Sequence, residues 1–389
     1  YYGFYDDPAR FTFFVKATLE FMLKTGKRPD VIHSHDWQTG LTAVLLFEIY
    51  RHAGMENQRV CHTIHNFKHQ GSAGQDLLWA CGLGRPEYYC SGERLGNGVD
   101  PYEINFTRGA IVYANFVNTV SPQHAWEARF TDEGYGLGHL LHLHQDKFGG
   151  VLNGLDYEMW NPESDPDIPE HYNVDTIENK RANTDALRRW LLLRDEEMPI
   201  VAYVGRLDPQ KGLHLIRHAL FYSIWNRAQF VLLGASAESG INDQFWHIKH
   251  YLNDNPDCHL EIGFDEELAH LIYAGANFVV VPSLYEPCGL TQLIGLRYGT
   301  VPIVRSVGGL SDTVFDWDHS ERQVEERNGF VFIHPDYPGI ESAMSRAFEL
   351  WHYSPVEFMK LARNGMRYDY SWAQPAEHYL RIYDHIRQK

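Results

Sequence analysis

In the carboxyl-terminal half of the chain, short β-branched apolar runs alternate with longer stretches whose apolar positions recur at helical spacing. The runs predict strands at Ile200–Val204, 230–233, 258–262, Phe278–Val281, 301–304 and 329–333, with helices between them. Such alternation implies right-handed crossovers in a parallel sheet, while the lateral order of the strands stays open. The amino-terminal half shows the same alternation less regularly. A helix over 8–25 (Phe11, Phe14, Val15, Leu19, Met22, Leu23) stops at Gly26 in the manner of a helix C-terminus. Strands follow at 29–33, Arg59–Ile64, 116–120 and from Phe148, with helices running through Ile49 and over 102–114. Residues 72–101 read as irregular, with a short helix near 77–82. The prolines within 161–170 block both helix and sheet and make that stretch the best linker candidate. A last helix is predicted over 375–387.

Length and charge narrow this α/β reading. A chain of 389 residues is long enough for two domains, each with its own core. No apolar stretch approaches the about 18 residues that a membrane helix needs, so no transmembrane segment is expected. Lys and Arg number 34 against 51 Asp and Glu, a net charge of −17. That field repels phosphate backbones and anionic membranes, so neither nucleic acid nor membrane is an expected partner. An anionic small ligand must then be met by a few local cations. The cysteines Cys61, Cys81, Cys90, Cys258 and Cys288 are odd in number and lack metal-ligand spacing, which fits a reducing compartment. The opening Tyr1-Tyr2-Gly3, without Met or a signal-like segment, reads as an internal start.

The local cations are found in Gly205-Arg206-Leu207-Asp208-Pro209-Gln210-Lys211-Gly212, a loop between a strand and a helix beginning near Leu213. The guanidinium of Arg206 and the ammonium of Lys211 suit a pyrophosphate whose charge grows as its substituent departs; an exposed basic turn explains the same spacing. After Phe278–Val281 comes Pro282-Ser283-Leu284-Tyr285-Glu286-Pro287-Cys288-Gly289-Leu290-Thr291-Gln292, a polar turn with one carboxylate, leading into an apolar helix through Arg297. In a parallel α/β sheet this places Glu286 at the rim of the ligand crevice beside free backbone N–H groups. Gly308-Gly309 follows a further strand, and paired glycines let N–H groups approach a phosphate closely. There is no Gly-x-Gly-x-x-Gly fingerprint and no Walker motif. The 22 histidines include the pairs His33/His35 and His62/His65, but no cysteine or carboxylate set completes a shell, so no metal is expected. Asp36 and His65 lie just past strand ends; a helix-capping Asp and a core His explain them equally.

These motifs, in order, resemble the starch synthase and bacterial glycogen synthase family. They are His33-Ser34-His35-Asp36-Trp37-Gln38-Thr39, His62-Thr63-Ile64-His65-Asn66-Phe67, Ser121-Pro122, Asn153-Gly154-Leu155-Asp156, the Arg206–Gly212 loop, Glu286-Pro287-Cys288-Gly289-Leu290-Thr291-Gln292 and Gly308-Gly309-Leu310. Gly212-Leu213-His214-Leu215-Ile216-Arg217-His218-Ala219 looks more like the third and fourth classes of plant and algal starch synthase than like bacterial glycogen synthase. The resemblance implies an α/β fold of GT-B type, two Rossmann-like domains with parallel sheets facing across a cleft. Residues 1–150 would form the acceptor-side domain, 151–368 the nucleotide-sugar domain, and 369–389 a terminal helix crossing back. It implies retaining transfer of glucose from ADP-glucose to the nonreducing end of an α-1,4-glucan or maltooligosaccharide, without a cofactor or metal. Arg206 and Lys211 would hold the diphosphate, and Glu286 would lie near the developing positive charge. Backbone groups of Cys288, Gly289, Leu290 and Thr291, with Gly308 and Gly309, would contact the donor. His65 would meet the glucose near the reacting carbon, Asn153 a sugar hydroxyl, and Asp36 the acceptor side. The compartment would be the plastid stroma in a plant or alga and the cytoplasm in a bacterium. The family's Lys-x-Gly-Gly-Leu loop would lie in a segment before Tyr1, and Ile294 stands where related transferases often carry a second Glu. Two alternatives keep the fold: a low-turnover glucan-binding or initiation partner, and a synthase using UDP-glucose.

Overall fold

The apolar runs of the carboxyl-terminal half assemble into one six-stranded parallel sheet. Its lateral order is Phe330–Phe332, Val301–Arg305, Phe278–Val281, Ile200–Val204, Gln229–Leu233, Cys258–Glu261. Along Ile200–Val204 the side chains divide between two cores. Ile200 and Ala202 pack with Leu187, Leu191 and Ile272, while Val201 and Tyr203 pack with Leu215, Phe230 and Val279. Both faces are covered, which is why these strands read as continuous apolar runs. The computed structural model describes residues 3–388. They fall into two units, one comprising the chain up to Asn153 together with Ala373 onward, the other Gly154–Trp372.

In the first unit a four-stranded parallel sheet runs Val31–His35, Arg59–Ile64, Phe116–Thr119, Phe148–Gly150. The Asp7–Thr25, Leu41–Glu48 and Phe106–Tyr113 helices bury Val15, Leu19, Val44, Leu45 and Ile111 in its core. The first helix ends as expected, with Gly26 in the left-handed region at φ 71°. The terminal helix Ala373–Arg387 returns to the strands Val31–His35 and Arg59–Ile64.

Three sequence expectations change. Residues 102–114 are not one helix: Glu103–Asn105 pairs antiparallel with Ser72–Gly74, and the helix begins only at Phe106. Asn105 is the reason, since its side chain accepts the Arg108 N–H at 2.8 Å and caps the helix there. The stretch 72–101 accordingly contains a strand, besides helices at Asp76–Cys81 and Pro86–Tyr89. The proline-rich stretch 161–170 is not a linker but a packed loop of the second unit. Its Asp165 is buried, accepting hydrogen bonds from Tyr298 and, at 2.7 Å, from His270.

Candidate active site

The lateral order of the second sheet reverses between Ile200–Val204 and Phe278–Val281, which lie side by side. Helices leave these two strands toward opposite edges, so their following loops open a crevice between them. Those loops are 205–212 and 282–290, the ones that carry Arg206, Lys211 and Glu286. They are stitched together by the backbone. The Gln210 carbonyl accepts the Leu284 N–H at 2.7 Å and the Tyr285 N–H at 3.3 Å. Gly212 sits at φ 74°, and a Cβ there would lie 2.4 Å from the Pro282 carbonyl oxygen, so only glycine permits this approach.

Within that crevice Lys211 Nζ donates to Glu286 Oε2 at 2.5 Å, and the buried Ser283 hydroxyl donates to the same oxygen at 2.8 Å. The Glu286 side chain is 8% exposed and that of Lys211 19%. Such charge-assisted bonds offset the hydration that a carboxylate loses on being withdrawn from water. Arg206 is exposed, and the buried Tyr203 hydroxyl anchors its carbonyl oxygen at 2.6 Å. The structure thus brings Lys211 and Glu286 together and leaves the Arg206 guanidinium at the surface.

The residues after Glu286 are held from within. Gln292, fully buried, donates from Nε2 to the carbonyl oxygens of Cys288 at 3.1 Å and Gly289 at 2.8 Å, and to Thr313 Oγ1 at 3.2 Å. Gly289 turns at φ 74°, and a Cβ there would meet the Gln292 amide at 2.4 Å. Thr291 Oγ1 donates to the Val204 carbonyl at 3.2 Å, Cys288 is buried, and Leu290 is exposed. Gly308 and Gly309 allow close backbone packing against the Glu286 loop. A Cβ would lie 2.1 Å from the Glu286 carbonyl at Gly308 and 2.0 Å from that of Cys288 at Gly309. The Gly309 N–H itself is committed to the Glu286 and Pro287 carbonyls, at 3.1 and 3.2 Å. The glycine pair therefore shapes the Glu286 loop by close backbone packing.

In the first unit, Asp36 and His65 sit together past the ends of neighbouring strands. Asp36 adopts φ 53° and ψ −179°, a conformation that costs a non-glycine residue about 1–3 kcal/mol. It is held there because its N–H donates to the Thr63 carbonyl at 2.9 Å and its carboxylate accepts the His65 N–H at 2.7 Å. It makes no capping bond to the following turn Trp37–Thr39, so capping does not explain it. His35 Nδ1 lies 3.1 Å from His65 Nε2, and the His35 ring stacks on His33 with centroids 4.3 Å apart. Burial, reinforced by the neighbouring imidazoles, depresses His33 to about 4 and the fully buried His62 to about 3; burial and the charge of His65 also lower His35. His33, His35 and His62 are therefore neutral near pH 7. Asn153 is half-buried just past the Phe148–Gly150 strand.

Sequence reasoning missed the buried Ser283 and Gln292, which donate within the Glu286 loop, and Thr313, which accepts from Gln292. Ser283 and Gln292 lie inside the motif; for Ser283 a polar residue between Pro282 and Leu284 was the available signal. Thr313 had none.

The family model described as "Starch synthase catalytic domain" matches residues 1–143, and "Glycosyl transferases group 1" matches residues 187–359. Glycogen synthase 1 of Synechococcus sp. (strain JA-3-3Ab) is 61% identical over 390 residues, which cover 100% of this chain and 79% of the relative. Glycogen synthase 2 of Methylococcus capsulatus is 58% identical over 388 residues, covering 100% and 80%. The solved catalytic domain of starch synthase IV from Arabidopsis thaliana, bound to ADP and acarbose, matches with a TM-score of 0.96 at 39% identity, over 100% of this chain and 79% of that one. Two parallel-sheet units, a buried carboxylate paired with a lysine at the switch point, and identity of this extent over the whole chain converge: the chain belongs to the glycogen and starch synthase family, GT-B glycosyltransferases that extend a glucan from a nucleotide-sugar donor.

Proposed function

We propose that this synthase takes its glucose from ADP-glucose and adds it, with retention of anomeric configuration, to the nonreducing 4-hydroxyl of an α-1,4-glucan or maltooligosaccharide. The observation that carries this reading is the buried Glu286 carboxylate, gripped by Lys211 and Ser283 beside the Arg206 loop. The starch synthase IV structure, bound to ADP, supports the choice of base. Transfer breaks the bond between glucose C1 and the β-phosphate oxygen and forms one from C1 to the acceptor oxygen, whose proton passes to the departing phosphate. Positive charge grows at C1 and negative charge at the phosphate. Glu286 faces the first, and Arg206 with the remaining Lys211 N–H groups meets the second, so no metal or other cofactor is needed. Backbone groups of Cys288, Gly289, Leu290 and Thr291 line the donor. His65 and Asn153 contact the sugar, and Asp36 the acceptor side. The bacterial relatives point to a cytoplasmic reaction; among the described residues no helix is long and apolar enough to cross a membrane.

The test is incorporation of radiolabelled glucose from ADP-glucose into a maltooligosaccharide by the full-length protein, beside Glu286→Ala. The variant should lose about 10²-fold or more in kcat, as when a preorganised electrostatic group is removed. Incorporation by Glu286→Ala at the parent rate sinks the role of Glu286. Equal kcat/KM with UDP-glucose sinks the donor assignment.

A further inference from the structure

The histidine row of the first unit ends on the terminal helix. Tyr383 and Tyr379, one turn apart on Ala373–Arg387, both reach polar groups of the sheet. Tyr383 OH lies 2.6 Å from His33 Nδ1, and Asn118 Nδ2 donates to Tyr379 OH at 3.1 Å. On its other side His33 Nε2 lies 2.7 Å from Thr63 Oγ1, which donates to Asn118 Oδ1 at 2.9 Å.

Proton positions in this network follow from what each atom can do. Asn118 Nδ2 also faces the Thr119 carbonyl at 3.3 Å, an acceptor only, so the amide orientation is fixed and Oδ1 must accept from Thr63. The single Thr63 hydroxyl hydrogen is thereby spent, and toward His33 the oxygen can only accept. Nε2 of His33 therefore carries the hydrogen. In the neutral ring Nδ1 is bare, and Tyr383 is the hydroxyl that donates to it. His33 in turn stacks on His35, whose Nδ1 meets His65 Nε2 at 3.1 Å. The groups facing His33 are His35 on its own strand, Cys61, His62 and Thr63 on the next, Asp36 and His65 in the strand-end loops, and Tyr379 and Tyr383 on the helix. Beyond Tyr383 on that helix, Arg387 is engaged with Asp30 at 3.9 Å.

We propose that Tyr383 is a positioning residue for glucosyl transfer: its hydroxyl, donating to Nδ1, pins the His33 ring that Thr63 keeps in the Nε2–H form, His33 braces the His35 ring, and His35 holds His65 in the orientation that meets the sugar. The terminal helix thus acts on the reaction through one hydroxyl. This rests on the reading of His65 as a sugar contact, whereas the proton on His33 does not. Burial and the neighbouring His35 and His65 lower the basicity of His33, so its ring is neutral near pH 7.

The experiment compares the full-length protein with Tyr383→Phe and Tyr379→Phe. Nitrogen-15 spectra of histidine-labelled protein, with His33 assigned through His33→Asn, report the tautomer, and kcat and donor KM are measured from pH 5 to 8. The parent should show His33 as Nε2–H. Tyr383→Phe should broaden or shift that signature, lower kcat about tenfold at little cost in KM, and move the acid limb of kcat to higher pH, because His33 then protonates sooner. Tyr379→Phe keeps the ring against His33 and should keep the parent tautomer, which separates loosening of the helix from loss of this hydroxyl. An Nδ1–H signature in the parent overturns the proposal, as does Tyr383→Phe with the parent kcat profile. If His65→Ala keeps the parent kcat, the sugar-contact reading and the positioning role fall together, and the tautomer result shows that the lock itself is not what failed.

Discussion

Glu286 depends on two donors of different kinds, and substitution separates them. Lys211 supplies charge and Ser283 a neutral hydroxyl at 2.8 Å. Ser283→Ala removes one bond to a buried anion, worth roughly 1.5–3 kcal/mol. The variant should unfold at lower urea by about that amount and lose about tenfold in kcat, because the carboxylate is left to follow Lys211 alone. Parent-like stability in urea titration would show that Ser283 does not bear on the carboxylate. Asp36 poses the opposite case, a side chain retained despite its backbone. At φ 53° glycine relaxes what any other residue strains, so Asp36→Gly should be more stable than Asp36→Ala by about 1–2 kcal/mol while both lose activity. Equal denaturation midpoints for the two would place no strain at this position. Glu286 and Lys211 were legible in the sequence because the chemistry of a charged leaving group demands both signs near one crevice. The strain at Asp36 was not legible, since the Thr63 and His65 backbone bonds that enforce it come from another strand.

Elements were legible where both faces of a strand are buried, and Ile200–Val204, Phe278–Val281 and Arg59–Ile64 fall on the expected residues. Sequence alone could not give their lateral order, and that order is what puts the 205–212 and 282–290 loops side by side. It also misread 102–114 and 161–170, because one Asn cap and one buried Asp outweigh propensity and proline content there. The pair Val31–His35 and Arg59–Ile64 carries a pH prediction of its own. His33 at about 4 and His62 at about 3 both lie below the ordinary 6.5 that applies once the chain unfolds. Below pH 6.5 the unfolded state takes up protons that the folded state refuses. Stability is therefore fully present above 6.5 and declines as pH falls toward 4, by at most about 1.4 kcal/mol per pH unit for each ring. His62→Gln keeps a polar side chain beside Ser34 and should flatten the dependence of the urea midpoint on pH between 6.5 and 4.5. An unchanged slope would mean that His62 titrates normally in the folded protein.

At the scale of the whole molecule, the identity of 61% to a cyanobacterial glycogen synthase and 39% to a plant starch synthase IV shows that the plant-like Gly212–Ala219 form occurs in a chain closer in identity to the bacterial enzyme. The chain shares the sign of its charge with the donor and not with the glucan. At −17 it presents a long-range field that repels an anionic nucleotide sugar and ignores a neutral glucan. On the proposed reading Arg206 and Lys211 would act at contact distance, and Lys211 is sheltered beside Glu286. Salt screens the two unequally. A Debye length of about 10 Å at 0.1 M removes most of the distant repulsion and little of a partly buried contact. Raising ionic strength from about 20 to 150 mM should therefore increase kcat/KM for ADP-glucose, the reverse of an enzyme that steers its substrate by net charge. Saturation by maltooligosaccharide should stay flat over the same range. A fall in kcat/KM would mean that the basic loop governs the approach as well as the contact, and the sign of that one slope decides between the field of the whole chain and the field of its crevice.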